Sequence, residues 1–285
     1  MKKLVLMMLF AGLVLDVAAS TQGQSDGGNR FVVNFSDPSR PGLLKVNLFN
    51  NGITVRSYNG KEIIIETTSR RGRRQRPDTT PDGLRRIDTN VAGLTIEEEN
   101  NVMSVNARNP NDSGDLDIQV PVKTNLNLRT VNGGNITVEG VEGEIEVSNT
   151  NGGVMLNNVA GSVVAQATNG KVVASLRDIT PNKPMSFISQ NANIDITLPP
   201  NAKANLRMRT NNGAVYSDFD IQLQPTTPTV QGRPGGGGFR IETDRTISGT
   251  INGGGPDFDL RTLNGNIYVR KGKKGEISTP DECCI

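Results

Sequence analysis

The chain has 285 residues, of which 34% are hydrophobic and only 4% aromatic, and it contains 32 glycines. This composition suits a slender stack of short strands lined by Val and Ile better than a broad globular core. A formal net charge of +2 gives no argument for a nucleic-acid or an acidic partner, and the absence of histidine excludes Ser-His-Asp and Cys-His catalytic mechanisms.

The N-terminus has the pattern of an export signal. Residues 1–3 are basic at two positions, residues 4–15 are apolar, and residues 16–20 supply small side chains for cleavage. The apolar run is too short to favour a transmembrane anchor, and no cysteine follows it to indicate a lipoprotein. We therefore predict a signal peptide over 1–20, a flexible segment over 21–29, and a soluble mature chain without a transmembrane segment. Such a chain belongs in the periplasm, at the cell surface or outside the cell.

Two short strand-like segments precede the first interruption of the chain. Residues 51–55 and 59–65 each combine an Asn-Gly corner with a following apolar strand, and both are predicted as copies of the repeat described below.

A run of five arginines then interrupts the strands within a polar segment at about 69–86. The run consists of Arg70, Arg71, Arg73, Arg74 and Arg76. Guanidinium groups bind polyanions such as lipopolysaccharide phosphates or acidic glycans through paired contacts. Runs of like charge are more often solvated loops, which is the interpretation we favour. The five arginines are nevertheless kept as a candidate polyanion-binding loop.

A repeat of nine residues occupies the middle of the chain. Its glycines are Gly134, Gly143, Gly152, Gly161 and Gly170. Apolar side chains follow each glycine after two and after four residues, so both face the same side of an extended strand. We expect the glycine to provide a corner with positive φ.

The corners of the repeat alternate between an Asn-Gly type and a Val-x-Gly type, so the full period is 18 residues. This length predicts one coil of a β-solenoid in which every second strand stacks in parallel on its predecessor. A string of hairpins would explain the Asn-Gly corners equally well, but it would not explain why odd and even corners differ.

The pattern continues on both sides of this block. Ile118 precedes Ile136 by 18 residues, residues 191–196 follow an insertion at 181–184, and residues 212–215 and 264–269 complete the series. We expect no helix after the first 20 residues. The predicted fold is all-β: a single-stranded parallel β-solenoid, similar to a β-helix, over residues 30–272, with coils of about 18–22 residues.

Two segments near the C-terminus are predicted to lie outside the coils. Residues 218–248 contain three prolines and a run of four glycines, which predicts a mobile, projecting loop. Residues 273–285 are predicted as a disordered tail. Its cysteines, Cys283 and Cys284, are adjacent and cannot close a useful loop, which leaves pairing between molecules as the alternative.

Paired acids are the remaining candidates for chemistry. Asp115 with Asp117, and Asp257 with Asp259, each place two carboxylates on one strand face, where they could bind calcium or act as an acid and base. Outward-facing solubilising charge is the simpler interpretation. No Asp recurs with the repeat to form a calcium ladder, and no glycine-rich segment has the form of a phosphate loop. We predict no catalytic, cofactor-binding or metal-binding residues.

Several of these features together resemble a known family. An export signal, the copy at 46–55, the Thr-Asn-Gly coils and the step at 198–202 resemble the bacterial putative-adhesin family of exported β-strand-repeat proteins, a domain of unknown function. They are also similar to auto-transporter-adhesin-like head domains. The resemblance covers about residues 30–272. It implies a scaffold without catalytic residues.

The sequence therefore predicts an exported, non-enzymatic scaffold that acts as an adhesin or envelope-binding protein. Its partners would be envelope glycans, lipopolysaccharide or another envelope protein. One alternative is a solenoid glycan lyase or hydrolase that uses the paired acids with a neighbouring arginine. The other is a periplasmic accessory or regulatory protein of the envelope, held by a membrane partner.

Overall fold

The computed structural model describes residues 24–26, 30–68, 93–108, 114–225, 229–232, 239–242 and 246–272. Within these residues all regular structure is β-strand and none is helix, so the all-β prediction is confirmed. The same residues include no helix of the length and apolarity that a membrane span requires. The predicted signal peptide and tail lie outside the described residues.

The strands are β1 (Gln24–Asp26), β2 (Arg30–Asn34), β3 (Gly42–Asn47), β4 (Ile53–Tyr58), β5 (Glu62–Thr68), β6 (Leu94–Glu99), β7 (Val102–Ala107), β8 (Asp115–Pro121), β9 (Thr124–Thr130), β10 (Ile136–Glu139), β11 (Glu142–Asn149), β12 (Val154–Ala167), β13 (Val172–Ile179), β14 (Met185–Ser189), β15 (Ile194–Leu198), β16 (Ala204–Thr210), β17 (Val215–Ser217), β18 (Gln222–Gln224), β19 (Thr229–Gly232), β20 (Phe239–Glu242), β21 (Thr246–Ile251), β22 (Asp257–Thr262) and β23 (Ile267–Lys271).

The strands pair into two rows that share β12. The first row runs, in spatial order, β1, β2, β5, β8, β4, β10, the first half of β12, β13, β15, β23 and β17. The second row runs β6, β7, β3, β9, β11, the second half of β12, β14, β22, β16, β21 and β18. The hairpin of β19 and β20 pairs separately.

A coil consists of one second-row strand, an asparagine-containing corner and one first-row strand. In the central coils Ile136 pairs with Val154, and Val154 pairs with Val172, each in parallel register. The predicted 18-residue period and the parallel stacking of every second strand are therefore confirmed for this part of the chain.

The coils do not stack in chain order, which the sequence analysis did not predict. Ile118 pairs with Val55 rather than lying next to Ile136, because β3 and β4 lie between the neighbours expected from the period. At the other end β22 and β23 lie between the coil of β14 and β15 and the coil of β16 and β17. At the N-terminal end the later coils of β7 with β8 and of β9 with β10 lie on either side of β3 and β4, whereas at the C-terminal end β22 and β23 enter between two coils that precede them in the chain.

A solenoid that is parallel throughout is also incorrect, because antiparallel strands flank the parallel ones at the N-terminal end of both rows and at the C-terminal end of the second row. β5, which contains residues 62–65 of the predicted repeat copy 59–65, runs antiparallel to both β8 and β2. β6 is antiparallel to β7, and β21 is antiparallel to β16 and β18. These strands occupy hydrogen-bonding edges that the terminal parallel strands would otherwise expose.

Strands also lie within the two segments for which the sequence predicts no regular structure. β1 falls within residues 21–29, and β18, β19, β20 and the start of β21 fall within residues 218–248. Their pairing partners are β2 for β1 and β21 for β18.

The core consists of columns of apolar side chains that run along the stack. Ile53, Ile136, Val154, Val172 and Ile194 follow one another in register and are fully buried. Burial of one such side chain stabilises the fold by about 1.5–3 kcal/mol, so the column is the main source of cohesion between coils.

Side-chain volumes within the second-row columns vary between neighbouring coils. The small Ala165 pairs with the large Phe187, and both are buried. Phe187 stacks in turn on Phe258 of the next coil, with ring centroids 6.3 Å apart. Alternation of small and large residues lets the interior stay close-packed without a regular sequence.

An asparagine ladder joins the corners of six coils. In spatial order its members are Asn132, Asn151, Asn169, Asn191, Asn264 and Asn212. Each side-chain Nδ2 donates to the Oδ1 of the preceding member, at 2.5–2.9 Å. Stacked amides of this kind satisfy one another's hydrogen-bonding groups, as in the asparagine ladders of amyloid. The corner asparagines therefore contribute to stacking as well as to the turn.

Polar side chains at the ends of second-row strands donate hydrogen bonds to backbone carbonyl groups of the corners. Thr130 donates to the carbonyl oxygen of Asn51 at 2.9 Å, and Asn149 donates to that of Gly134 at 2.8 Å. Ser189 donates to the carbonyl oxygen of Gly170 at 3.0 Å. No buried side-chain nitrogen or oxygen in the described residues lacks a hydrogen-bond partner. Satisfied groups of this kind avoid the cost of burial without a partner.

The repeat glycines are needed chiefly because the backbones of neighbouring coils approach closely at the corners, and less because glycine allows unusual φ values. Among the five of them only Gly161 has a positive φ, of 114°, so the expectation of positive φ at each corner is incorrect. A Cβ at Gly152 would lie 2.0 Å from the carbonyl oxygen of Gly134, and one at Gly170 would lie 2.1 Å from that of Gly152. The corners stack backbone on backbone, which leaves no room for a side chain.

We predict that Gly152→Ala destabilises the protein by about 1–3 kcal/mol, because the added methyl group would be forced into the carbonyl group of Gly134. Gly153→Ala is the matched control, since its nearest heavy atom would be 3.3 Å away. Urea denaturation of both variants measures the difference. Equal stability of the two variants would show that the corner is not limited by this contact.

We also predict that Asn169→Ala lowers the free energy of unfolding by about 1 kcal/mol, because it removes one donated and one accepted bond of the ladder. Asn157→Ala is the control, because Asn157 is equally exposed and its side chain makes no hydrogen bond with a described residue. The same denaturation experiment applies. A loss no larger than that of the control would contradict a structural role for the ladder.

Candidate binding surfaces

The outward positions of the coils carry the side chains that are free to contact another molecule. On the first row, Asp195, Tyr268 and Tyr216 occupy equivalent outward positions on β15, β23 and β17. These three residues and Arg270 form the group that we call the tyrosine stack.

The two tyrosine rings lie nearly parallel. Their centroids are 5.2 Å apart and the angle between the planes is 13°. Tyr268 also accepts a hydrogen bond at its hydroxyl from Nδ2 of Asn266, at 3.1 Å. The pair is thus held by stacking and by a polar contact at its tip.

Arg270 lies over the ring of Tyr268 and is itself held by a carboxylate. Its guanidinium carbon lies 5.1 Å from the centroid of the Tyr268 ring. Asp195 accepts from Nε at 2.7 Å and from a terminal nitrogen at 3.0 Å, and this interaction raises the pKa of Arg270 above its usual value. A paired guanidinium over a ring is a cation–π arrangement that fixes the orientation of both groups.

The stack ends in an accessible aromatic surface. Tyr216 is 52% exposed, and its strand β17 pairs only with β23 among the described residues. A flat ring with a polar tip, flanked by a charged pair, can stack on a planar or pyranose surface and hydrogen-bond at the same time.

Of the acids predicted from the sequence, Asp115 and Asp117 take part in the structure of the stack. Asp115 accepts a hydrogen bond from the Gly52 backbone N–H at 2.8 Å. Asp117 pairs with Arg56 at 2.5 Å, and the same guanidinium reaches Glu139 at 3.2 Å. The hydrogen bond to Asp117 is the chief cause of the raised pKa of Arg56. These carboxylates therefore bridge neighbouring strands.

The second pair of acids lies on the outer face of β22. Asp257 accepts a hydrogen bond from Asn205 at 3.0 Å, and Asp259 accepts one from Arg261 at 2.8 Å. Together with Arg207 and Ser248 they border a surface depression of about 380 Å³. The part of the chain that the structure describes contains no cluster of three acids or thiols able to hold a metal ion.

A second depression adjoins the first, and the described residues that line it are positive or neutral. It has a volume of about 300 Å³ and is lined by Arg207, Arg209 and Arg261 with Gln224, Pro225, Thr246 and Ser248. We call it the arginine groove. The arginines predicted at 70–76 lie outside the described residues.

Sequence reasoning missed both groups because each joins residues distant along the chain. Tyr216 and Tyr268 are 52 positions apart, and Arg209 and Arg261 likewise. A signal was present for the tyrosines: each directly follows the first inward residue of its coil, Val215 or Ile267. Their contact depends on the reversed order of the last two coils, which the period does not reveal.

The geometry defines an all-β, β-solenoid-like protein whose coils turn at asparagine–glycine corners. The family described as Toastrack DUF4097 matches residues 77–270, which is more than half of the chain. The chain therefore belongs to this family, a domain of unknown function, and the expectation of such a family from the sequence is confirmed.

Two solved structures are similar to the chain at low identity. One is described as a putative cell adhesion protein from Clostridium sporogenes, with 10% identity, a TM-score of 0.40, and coverage of 88% of this chain and 100% of that one. The other is described as a putative adhesin from Bacteroides fragilis, with 10% identity, a TM-score of 0.26, and coverage of 85% and 96%. Comparison with curated proteins gives no match.

The tyrosine stack predicts an energetic coupling that can be measured. In a double-mutant cycle of Tyr216→Ala and Tyr268→Ala, we expect a coupling of about 0.5–1.5 kcal/mol, because the rings contact each other directly. The control cycle combines Tyr58→Ala with Tyr268→Ala. The hydroxyl of Tyr58 donates to the carbonyl oxygen of Glu62 in a different part of the fold. Chemical denaturation supplies all the free energies. A coupling no larger than in the control would contradict the stack.

Proposed function

We propose that the protein is an exported, non-enzymatic scaffold that binds a component of the cell envelope and serves as an adhesin or envelope-binding protein. The observation that carries the proposal is the tyrosine stack, an exposed aromatic surface flanked by a paired Arg270 and Asp195. The favoured ligand class is an envelope glycan, because pyranose rings stack on aromatic faces and their hydroxyls bond to charged pairs.

The rigidity of the coils supports this proposal. Tyr216 and Tyr268 are placed by strands that pair in register, and Arg270 is fixed by two hydrogen bonds from its guanidinium to Asp195. A surface held in this way pays little ordering entropy on binding. A polysaccharide that repeats along its length could also contact several coils at once, which would add avidity.

The glycan lyase or hydrolase remains a weaker alternative. Asp257 and Asp259 border a depression next to Arg207, which is the combination of acids and arginine that such an enzyme needs. Both carboxylates, however, already accept hydrogen bonds from Asn205 and Arg261. Their positions suit surface charge better than a pair of reacting groups.

The binding proposal is tested by co-sedimentation of the purified protein with isolated peptidoglycan and with lipopolysaccharide. We expect binding to a glycan, and we expect Tyr216→Ala to weaken it by about tenfold, as loss of an aromatic contact of about 1–2 kcal/mol implies. Tyr58→Ala is the matched control. Equal binding by wild type and Tyr216→Ala would contradict a role for the tyrosine stack.

Cell fractionation combined with protease treatment of whole cells tests the location. An adhesin is expected in the envelope fraction and to be cleaved by added protease. A chain found only in the periplasm and protected from protease would favour the accessory-protein alternative. Release of new reducing ends during the binding assay would favour the enzyme.

A further inference from the structure

The arginine groove concentrates positive charge at one end of the second row. Arg209 of β16 pairs directly with Arg261 of β22, so their Cα atoms are about 4.8 Å apart. Arg207 lies two residues earlier on the same face of β16, about 7 Å along the strand. All three side chains are exposed.

Two arginines elsewhere on the outer faces are each paired with a carboxylate on a neighbouring strand. Arg129 pairs with Glu146 at 2.9 Å, and Arg270 pairs with Asp195 at 2.7 Å. Within the groove Arg261 pairs with Asp259 of its own strand, and Asp259 is also the register neighbour of Arg207 on β16. No ion pair joins Arg207 or Arg209 to a carboxylate of any described residue.

This arrangement is unfavourable for the protein alone. Like charges directly opposite each other on neighbouring strands destabilise a sheet, and the neighbours of Arg209 on its two sides are Arg261 and Thr246. A ligand of negative charge would remove the repulsion between Arg209 and Arg261. Three arginines around one depression, only one of which is paired with a carboxylate, suit a ligand of negative charge.

The neutral residues of the groove add hydrogen-bonding groups around the same space. Ser248 pairs with Arg207 and Gln224 pairs with Ser248, so these three residues form one line across the sheet. Thr246, Arg209 and Arg261 form the next line. The depression between them has a volume of about 300 Å³, and the described residues that line it include no acid.

We propose that the arginine groove binds a phosphate group. Planar guanidinium groups donate paired hydrogen bonds to phosphate oxygens, and three of them can approach a tetrahedral dianion from different sides. Hydroxyl and amide groups of the kind that Ser248 and Gln224 carry complete such a site with neutral donors. A carboxylate ligand has two coplanar oxygens and a single charge, so it would accept hydrogen bonds from fewer of these guanidinium, hydroxyl and amide donors than a phosphate group would. The site is separate from the tyrosine stack and does not depend on the cellular location proposed above.

The test measures binding of inorganic phosphate and of pyrophosphate to the purified protein by isothermal titration calorimetry at low ionic strength. We expect Arg209→Gln to weaken binding by about tenfold or more, as loss of one charge-assisted contact implies. Arg129→Gln is the matched control, because it removes the same charge from the outer face of the same row. Its effect should be less than about twofold, as expected for distant screened charge.

Thermal unfolding with and without phosphate separates a loss of phosphate binding from a loss of stability in a variant. Phosphate should raise the melting temperature of wild type and of Arg129→Gln, and it should raise that of Arg209→Gln much less. Absence of phosphate binding by wild type, or equal weakening by both substitutions, would overturn the proposal.

The source of the phosphate is distinguished by a second arm with vesicles. Phosphatidylcholine vesicles that contain phosphatidylglycerol or phosphatidic acid are compared with phosphatidylcholine alone. Binding that requires Arg209 and the anionic lipid assigns the site to a lipid headgroup. Binding of free phosphate that requires Arg209, without vesicle binding, assigns it to a soluble or glycan-linked phosphate.

Discussion

Backbone contact at the asparagine–glycine corner is the constraint on which the rest of the structure depends. Each corner lies so close to the next that a Cβ at Gly152 or Gly170 would overlap a carbonyl oxygen of the neighbouring coil. The asparagine ladder on the outside and the hydroxyl or amide groups on the inside satisfy the polar groups that this contact leaves. The distance between corners then fixes the register of both rows, so the apolar columns follow from it.

Fixed register also determines what the outer surface can do. Residues at equivalent positions of neighbouring coils are brought to strand-pair distance, whatever their separation in sequence. Opposite charges at diagonal positions, two residues out of register on neighbouring strands, form the ion pairs of Arg56, Arg129 and Arg270. The same rule brings Tyr216 onto Tyr268, and it brings Arg209 next to Arg261. These two groups depart from charge pairing, and both functional proposals are drawn from them.

The ends of the stack explain why both groups lie where they do. A parallel stack exposes its terminal edges, and here antiparallel strands cover three of the four, while β17 remains the edge strand of the first row among the described residues. At the C-terminal end the coil of β16 and β17 is outermost in space but precedes β22 and β23 in the chain. After β18 and β21 the chain returns, and β22 and β23 lie between this coil and the coil of β14 and β15. The insertion creates the contacts of β22 and β23 with β16 and β17, on which the tyrosine stack and the arginine groove depend.

The sequence by itself determined the β-strand class, the 18-residue period and the inward columns, because each depends on local spacing that recurs along the chain. It also identified the corner asparagines and glycines. It predicted a positive φ at Gly152, however, whereas the structure requires glycine there because of the close contact with Gly134. Only the tertiary structure decided the order of the coils, the antiparallel ends and the two surface groups. A repeat specifies which positions face inward, but many coil orders satisfy the same pattern. The choice among them rests on packing between residues distant in sequence, such as Phe187 with Phe258.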